Sequence, residues 1–559
     1  MRDLGIYAEV APSETSISEL RGRKAIIISG GPASVYDPAS PTIDPDLLTA
    51  GVPVLGICYG QQLMAHALGG MVQKGDRGEY GLAMLDIVHG DTILHGIEGR
   101  QQVWMSHRDV VSAVPEDFEV LASTETCAIA AMSSPARRLF AVQFHPEVAH
   151  TPCGLTILTN FLFGVAGCVK DWDPAGQIES LENQIRAVAG DRNVFFFVSG
   201  GVDSTVAYTL CLQALGPARV HGTYVDTGLM REGETDFVRE NFAALGARSF
   251  EVADARTEFL GALSTAIEPE QKRHIIGEKF VDVQQRVLEG QRFLTADWIL
   301  GQGTIYPDTI ESGGTAKADL IKTHHNRVAG IQRLIEEGRV IEPLSSFYKD
   351  EVRAIGRQLG LAPELLNRHP FPGPGLAIRC LCTDVSAAPE KTAEGYIIPV
   401  HSVGVQGDSR TYRPVLAIED FPGAAEDVAR LINKLDQVNR VIVTVWTAQP
   451  METMRVHPAA LTPDRLDRLR RADAIVRNLT LASGFDEKIW QFPVVLIPFG
   501  DHDSVVLRPI DSVDGMTASA VRMPASLLDS IISELRAVEG IAGVFYDLTN
   551  KPPGTIEWE

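Results

Sequence analysis

Cys58 stands between Gly56 and Gly60 in the stretch VLGICYGQQ, after a short apolar run and ahead of a helical pattern. A nucleophile flanked by glycines on a strand-to-helix turn is an elbow that lifts the side chain clear of the backbone. Sulfur replaces the more familiar oxygen here. A helix N-terminus favours the thiolate, the form that attacks. Such a cysteine needs a histidine to take and return protons, and the histidine needs a carboxylate to orient it. His145 and Glu147, in VQFHPEV, supply both at the end of another predicted strand. The SGGP turn with Gly30 and Gly31, and the backbone N–H of Tyr59 beside the nucleophile, are candidate oxyanion donors. The chemistry is nucleophilic attack by a thiolate with an acid/base partner. His107 reads as structural or substrate-positioning.

A second constellation is FFVSGGVDSTVA, residues 196–207: strand, glycine turn, helix start. Small residues let backbone N–H groups wrap an anion, and the helix N-terminus favours negative charge. The turn lacks the lysine and the spacing of the G-x-x-x-x-G-K-[ST] loop that grips β- and γ-phosphates. Ser199, Gly200, Gly201, Val202, Asp203 and Ser204 are therefore read as a phosphate cradle of another kind. Asp226, at the end of the next strand, borders the same place.

Further along, a Gly/Ala-rich segment between Glu311 and Lys322-Thr323-His324-His325 reads as a mobile lid. No metal is expected at the two histidines, nor at Cys380 and Cys382, because no partner stands at ligand spacing. HPFPGPGL, residues 369–376, is a stiff Pro/Gly loop whose backbone can approach a planar ring. The tail KPPGTIEWE offers a lysine and a hydroxyl in a proline-stiffened context that suits a phosphate.

The elements that must position these groups divide the chain of 559 residues into three α/β regions: 1–168, 178–378 and 379–559. Residues 169–174 read as a linker. The third region holds a weak repeat. Both 396–447 and 491–549 read strand-strand-helix-strand, with a helical stretch from Pro463 to Ser483 between them. The net charge of −22 argues against nucleic acid as a partner. The sequence shows no signal peptide and no apolar run long enough to span a membrane, and seven scattered cysteines fit a reducing cytoplasm.

GICYGQQ with FHPEV resembles the triad, class I glutamine amidotransferases, and SGGVDS resembles the signature of the ATP pyrophosphatases. With IKTHHN, HPFPGPGLAIR, SVGVQGDSRTY and KPPGTIEWE in the same order, nearly the whole chain resembles the glutamine-hydrolysing GMP synthases. The fold this implies is multidomain α/β: an amidotransferase domain, a doubly wound ATP pyrophosphatase domain, and an α+β C-terminal domain with two β-β-α-β units. The implied reaction adenylylates XMP with ATP and Mg²⁺, then aminates it with ammonia from glutamine, giving GMP, AMP, pyrophosphate and glutamate. The resemblance implies Asp203 as a candidate Mg²⁺ or pyrophosphate-region ligand. XMP would be held by Pro372, Gly373, Pro374, Arg410, Gln491, Lys551, Thr555, Ile556 and Glu557. The resemblance departs in two places. Residues 1–9 resemble the end of a first helix and the next strand, so the usual opening strand is expected to be missing, most simply through a misplaced start. The C-terminal unit is present twice, as in the long eukaryote-type enzymes, so a functional monomer built as a pseudo-dimer is expected over a homodimer. The alternatives are another amidoligase of the same kind, and a variant with a disabled glutaminase.

Overall fold

The computed structural model describes residues 1–559 except 91, 149, 314–327, 407–408, 424, 436 and 513–516; at 75–77, 310–313, 405–406, 409–410, 425–426 and 433 only the backbone is described. The chain forms two compact units, Met1–Asp173 and Pro174–Glu559, divided inside the predicted linker.

The first unit is built on one seven-stranded sheet: β1 (Ile26–Ile28), β2 (Val54–Ile57), β3 (Met71–Ile87), β4 (Arg100–Ala113), β5 (Glu119–Ser123), β6 (Ala131–Ser134) and β7 (Leu139–Val142), in the order β1-β2-β7-β6-β5-β3-β4. Strands β1, β2 and β7 run parallel. Strands β2 and β7 are buried on both faces, which is why each reads as an unbroken apolar run. Residues 5–9 form no strand, in contrast to the reading of that stretch as one. The Gly5 carbonyl instead accepts the Asp171 and Trp172 amides, at 3.0 Å each.

The second unit carries two sheets. One is parallel: β8 (Asn193–Val198), β9 (Val220–Asp226), β10 (Ser249–Asp254), β11 (Trp298–Gly301) and β12 (Val340–Ile341), ordered β10-β9-β8-β11-β12. The order reverses at β8, and the glycine turn follows that strand, the usual place for a ligand in an open α/β sheet. The other sheet is mixed. Its strands are β13 (Glu390–Lys391), β14 (Tyr396–Gln406), β15 (Ser409–Ile418), β16 (Arg440–Thr447), β17 (Val494–Ile497), β18 (Asp503–Leu507) and β21 (Ile541–Asp547). Their order is β13-β14-β15-β16-β21-β18-β17, and a separate ribbon pairs β19 (Ile510–Asp511) with β20 (Ser519–Ala520). In each half an antiparallel hairpin leads through a helix, Ala425–Lys434 or Ala525–Leu535, to a strand parallel to the second hairpin strand. The halves meet where β16 and β21 pair antiparallel. Helix Pro463–Ser483 lies between the halves in sequence, with the bounds its periodicity predicts. One apolar core joins the two sheets, from Val225 and Phe259 to Leu416, Val441 and Val544. Among the described residues no helix is long and apolar enough to cross a membrane.

Candidate active sites

In the first unit, β2 ends at Ile57 and helix Tyr59–Ala67 begins one residue later, so Cys58 alone makes the turn, at φ 52° and ψ −107°. That conformation is costly for a residue with a Cβ and is held only where surroundings dictate it. They do so through the two glycines. A Cβ on Gly60 would lie 2.2 Å from the Ile28 carbonyl oxygen, and one on Gly56 would lie 2.6 Å from the Gly60 carbonyl oxygen. The spacing seen in the sequence is thus the spacing at which helix and strand touch.

His145 follows β7 and comes to the same place. A Cβ on Gly30 would be 3.2 Å from His145 Cε1 and 3.3 Å from Cys58 Cβ, so the predicted oxyanion turn lies against both. Neither the Gly31 nor the Tyr59 amide donates to another backbone group among the described residues. The Tyr59 hydroxyl is engaged elsewhere, donating to Pro41 O at 2.7 Å. His145 Nδ1 is 2.7 Å from Glu147 Oε1, and its buried Nε2 has no protein partner. The Cys58 thiol points its weak bond at Ser106 O, 3.6 Å away. Cys58 beside the imidazole and Glu147 behind it push the His145 pKa up to about 10, against the opposing effect of burial. His107 is buried, with Nε2 3.3 Å from Glu79 and Nδ1 3.2 Å from Asp109 O, and burial lowers its pKa. Both ring nitrogens are spent on the fold, in keeping with a structural part.

In the second unit the glycine turn closes on itself. Gly200 adopts φ +73°, and the Ser199 hydroxyl accepts from the Gly201 amide at 3.2 Å and meets Ser204 Oγ at 3.1 Å. Helix Val202–Leu215 starts at once, with Asp203 in its first turn. One Asp203 oxygen, Oδ2, is 2.5 Å from Lys349 Nζ; the other, Oδ1, is buried with no partner. The turn lacks a lysine of its own, yet the fold delivers one from the start of helix Lys349–Gln358. Sequence reading missed Lys349 because 146 residues separate it from Asp203. Asp226 does something narrower than bind freely: its oxygens accept from the Gly228 amide and the Thr235 hydroxyl, at 2.9 Å each, and shape the turn after β9.

Most of the described residues that the resemblance assigns to XMP also converge in this unit. Gln491 Nε2 donates to Pro370 O at 2.9 Å and to Glu557 Oε1 at 3.2 Å, and Arg379 clasps Glu557 at 2.7 and 3.0 Å. Burial would raise the Glu557 carboxyl, but Arg379 holds it below the usual range. The loop 372–374 is pinned by the bond from the Gly375 amide to Pro372 O and by the close approach of Gly375 to Leu229 O. The tail is gripped from both halves of the mixed sheet. Arg440, at the start of β16, donates to Thr555 O, Thr555 Oγ1 and Glu557 O, at 2.9 Å each. Arg508, just after β18, donates to Ile556 O at 3.0 Å and Thr555 O at 2.8 Å. Buried Asp547 lies between the two guanidiniums and also accepts from Trp558 Nε1. Lys551 is placed by backbone pairing with Ala518. Arg410 lies in β15 with only its backbone described, Glu311 likewise in helix Tyr306–Gly313, and Lys322, His324 and His325 lie outside the described residues.

Comparison with known proteins decides the family. A model of class-I glutamine amidotransferases matches residues 1–165, and one of the GMP synthase C-terminal domain matches residues 479–558. The chain is 40% identical over 586 residues to a protein of Leptospira interrogans carrying the GMP synthase (glutamine-hydrolyzing) name, covering all of this chain and 96% of that one. The corresponding proteins of Streptomyces coelicolor and Bifidobacterium longum are 38% and 40% identical, with all of this chain and 94% and 93% of theirs covered. The chain belongs to the glutamine-hydrolysing GMP synthases. These are carbon–nitrogen ligases, and glutamine is the amide donor. In this synthase the motifs read from the sequence therefore fall in two places: the cysteine elbow in the first unit, the glycine turn and the tail in the second.

Proposed function

We propose that the first unit makes ammonia and the second spends it. Cys58 attacks the glutamine carboxamide. His145, oriented by Glu147, passes its Nε2 proton to the departing ammonia and then activates water against the thioester. The amides of Gly31 and Tyr59, with the turn at Gly30, receive the oxyanion. In the second unit Ser199 to Ser204 cradle the pyrophosphate of ATP, and Lys349 supplies the positive charge the turn itself lacks. The buried, unpartnered Oδ1 of Asp203 fits a Mg²⁺ ion, which would neutralise charge on the phosphates. XMP lies against loop 372–374, with Arg410 and Lys551 toward its phosphate and Gln491, Thr555, Ile556 and Glu557 around it. Attack of the XMP oxygen on the α-phosphorus releases pyrophosphate, and ammonia then displaces AMP.

The observation that carries this reading is a continuous bridge between the two halves of the synthetase site. Arg368 donates to Gly200 O at 3.2 Å; two residues on, Pro370 accepts from Gln491, which reaches Glu557. That chain of bonds supports a nucleotide turn and an acceptor tail acting together. Free thiols at all described cysteines fit a cytoplasmic enzyme. The two β-β-α-β halves are proposed to be a duplication. Arg440 of one and Arg508 of the other hold the same tail, so one chain suffices; sedimentation should give a monomer at assay concentrations.

The test is GMP formation with glutamine or with ammonium as the nitrogen source. Asp203→Ala should abolish both. Cys58→Ala should abolish the glutamine reaction and spare the ammonium reaction; loss of both would refute the division of labour.

A further inference from the structure

Arg231 is a poorly satisfied buried charge among the described residues of the second unit. Its side chain is only 8% exposed, yet among the described residues the guanidinium makes no hydrogen bond. It has one ion pair, Nε to Asp473 Oδ2 at 3.4 Å, not aligned as a hydrogen bond, and it stacks on the Phe371 ring at 4.5 Å. A buried guanidinium with five donors and no acceptor carries a desolvation cost that a fold normally relieves. Arg231 lines a cavity of about 490 Å³, a size that suits a small-molecule ligand. Arg477 lines it too, half-buried, its guanidinium without an ion pair or hydrogen bond among the described residues, and close enough to disfavour the Arg231 charge. Of the other inner groups, Arg368 is matched by Glu234 at 2.6 Å, and His369 lies 3.5 Å from Asp486 with its pKa lowered by burial. Glu232 and Glu364 are exposed. Phe237, Val476 and Phe492 supply apolar wall.

We propose that this cavity binds a small organic oxyanion, a phosphate or carboxylate carried on an apolar body, with Arg231 and Arg477 as its guanidinium partners. Two guanidiniums facing one committed carboxylate leave one positive charge to be met, and an oxyanion meets it with charge-assisted bonds. Arg368, which lines the cavity, donates to Gly200 O in the glycine turn, and the cavity also touches the support of the acceptor tail. Phe371 has Arg231 over its ring at 4.5 Å and Arg379 at 5.2 Å, and Arg379 holds Glu557. An occupant that draws Arg231 toward itself is therefore felt at Glu557 and at loop 372–374. This second consequence rests on the XMP site proposed above; the binding itself does not.

The test uses the full-length protein in calorimetric titrations with inorganic phosphate, GMP and glutamate. Lys551→Ala disables the proposed XMP site, and Arg477→Gln, a half-exposed change that should fold, disables the cavity. At least one ligand should bind in Lys551→Ala and lose about tenfold or more of its affinity in Arg477→Gln, roughly the worth of one charge-assisted bond. Preference for phosphate and GMP over glutamate identifies an organic phosphate; the reverse identifies a carboxylate. The proposal is overturned if every binding event survives Arg477→Gln unchanged. It is equally overturned if every event vanishes in Lys551→Ala, since the cavity would then be part of the XMP pocket. Should Lys551→Ala leave the KM for XMP unaltered while Arg477→Gln still weakens an anion, the XMP assignment fails and the cavity stands.

Discussion

The two units solve the same problem, placing reactive groups within hydrogen-bond reach, in opposite ways. The proposed glutaminase triad is nearly local. Cys58 is set by glycines two residues to either side, and His145 and Glu147 are two residues apart at one strand end. The synthetase site is assembled across long stretches of chain by charge: Asp203 with Lys349, Arg379 with Glu557, Arg440 with the tail. The buried guanidiniums Arg379 and Arg440 add little net stability but fix one arrangement among many, because breaking such a pair leaves a buried group uncompensated; the Asp203–Lys349 pair is partly exposed. The local site should therefore lose function without loss of fold, and the assembled one should lose both together.

The largest expected effect sharpens that contrast. Lys349→Ala removes the ammonium that faces Asp203, so GMP formation should fall by about 10²–10³-fold, the usual cost of one electrostatic contact to developing charge. The loss should be equal with glutamine and with ammonium, and Lys349→Arg should recover part of it. A loss confined to glutamine would break the comparison. Arg379→Gln comes next. It leaves Glu557 buried without its partner, a change worth about 3–5 kcal/mol, and should raise the KM for XMP well beyond any change in KM for ATP. Steady-state kinetics and thermal unfolding on the same variant separate the two losses.

The same contrast explains what the sequence made legible. The elbow, the FHPE segment and the glycine turn are short-range patterns, in which residue type and spacing already state the geometry, and each lies on the strand end expected of it. The third region's longer strands were readable as apolar runs, and the helix Pro463–Ser483 from its Thr-Pro start and its Gly484 stop, although Arg465, Asp473 and Thr480 interrupt its buried face. Lys349, Arg440 and Arg508 were not. An arginine at the start of a buried strand looks like any charged residue at a strand end until the tail is folded over it. Asp226 shows the same limit from the other side: the sequence marks a carboxylate at the end of β9, and only the fold shows its oxygens accepting from the Gly228 amide and the Thr235 hydroxyl. Residues 5–9 look strand-like in composition, but their partner is the 171–172 backbone rather than a sheet edge.

A smaller effect tests how tightly the local site is packed. Gly30→Ala would place a methyl group 3.2 Å from His145 Cε1 and 3.3 Å from Cys58 Cβ, closer than most real contacts of that kind. Neither neighbour can yield freely, one being on the strained elbow and the other tied to Glu147. The glutamine-dependent rate should drop about tenfold, the scale of a sub-ångström misplacement, while the ammonium-dependent rate and the unfolding temperature stay near those of the parent. Equal loss in both assays would mean that the elbow is not independent of the synthetase.

The smallest effect at neutral pH, and the most diagnostic, is that of Glu147→Gln. Glu147 is half exposed, its side chain 49% accessible, so solvent screens much of its pull. It nevertheless contributes, after Cys58, to holding the His145 pKa up to about 10, well above the ordinary histidine value of 6.5. The sign follows from that elevation. A raised pKa means the folded site favours the imidazolium; the stabilisation is complete below pH 6.5 and disappears as pH climbs through about 10. The imidazolium is also the form that delivers a proton to leaving ammonia, so the glutaminase should lose activity on its alkaline side when His145 deprotonates. Removing the carboxylate charge moves that alkaline limb to lower pH while leaving the ammonium-dependent profile where it was. Glutaminase rates measured from pH 6 to 11 on both proteins decide it: an unmoved limb would show that Cys58 alone sets the charge on His145 and that Glu147 serves only to aim the ring.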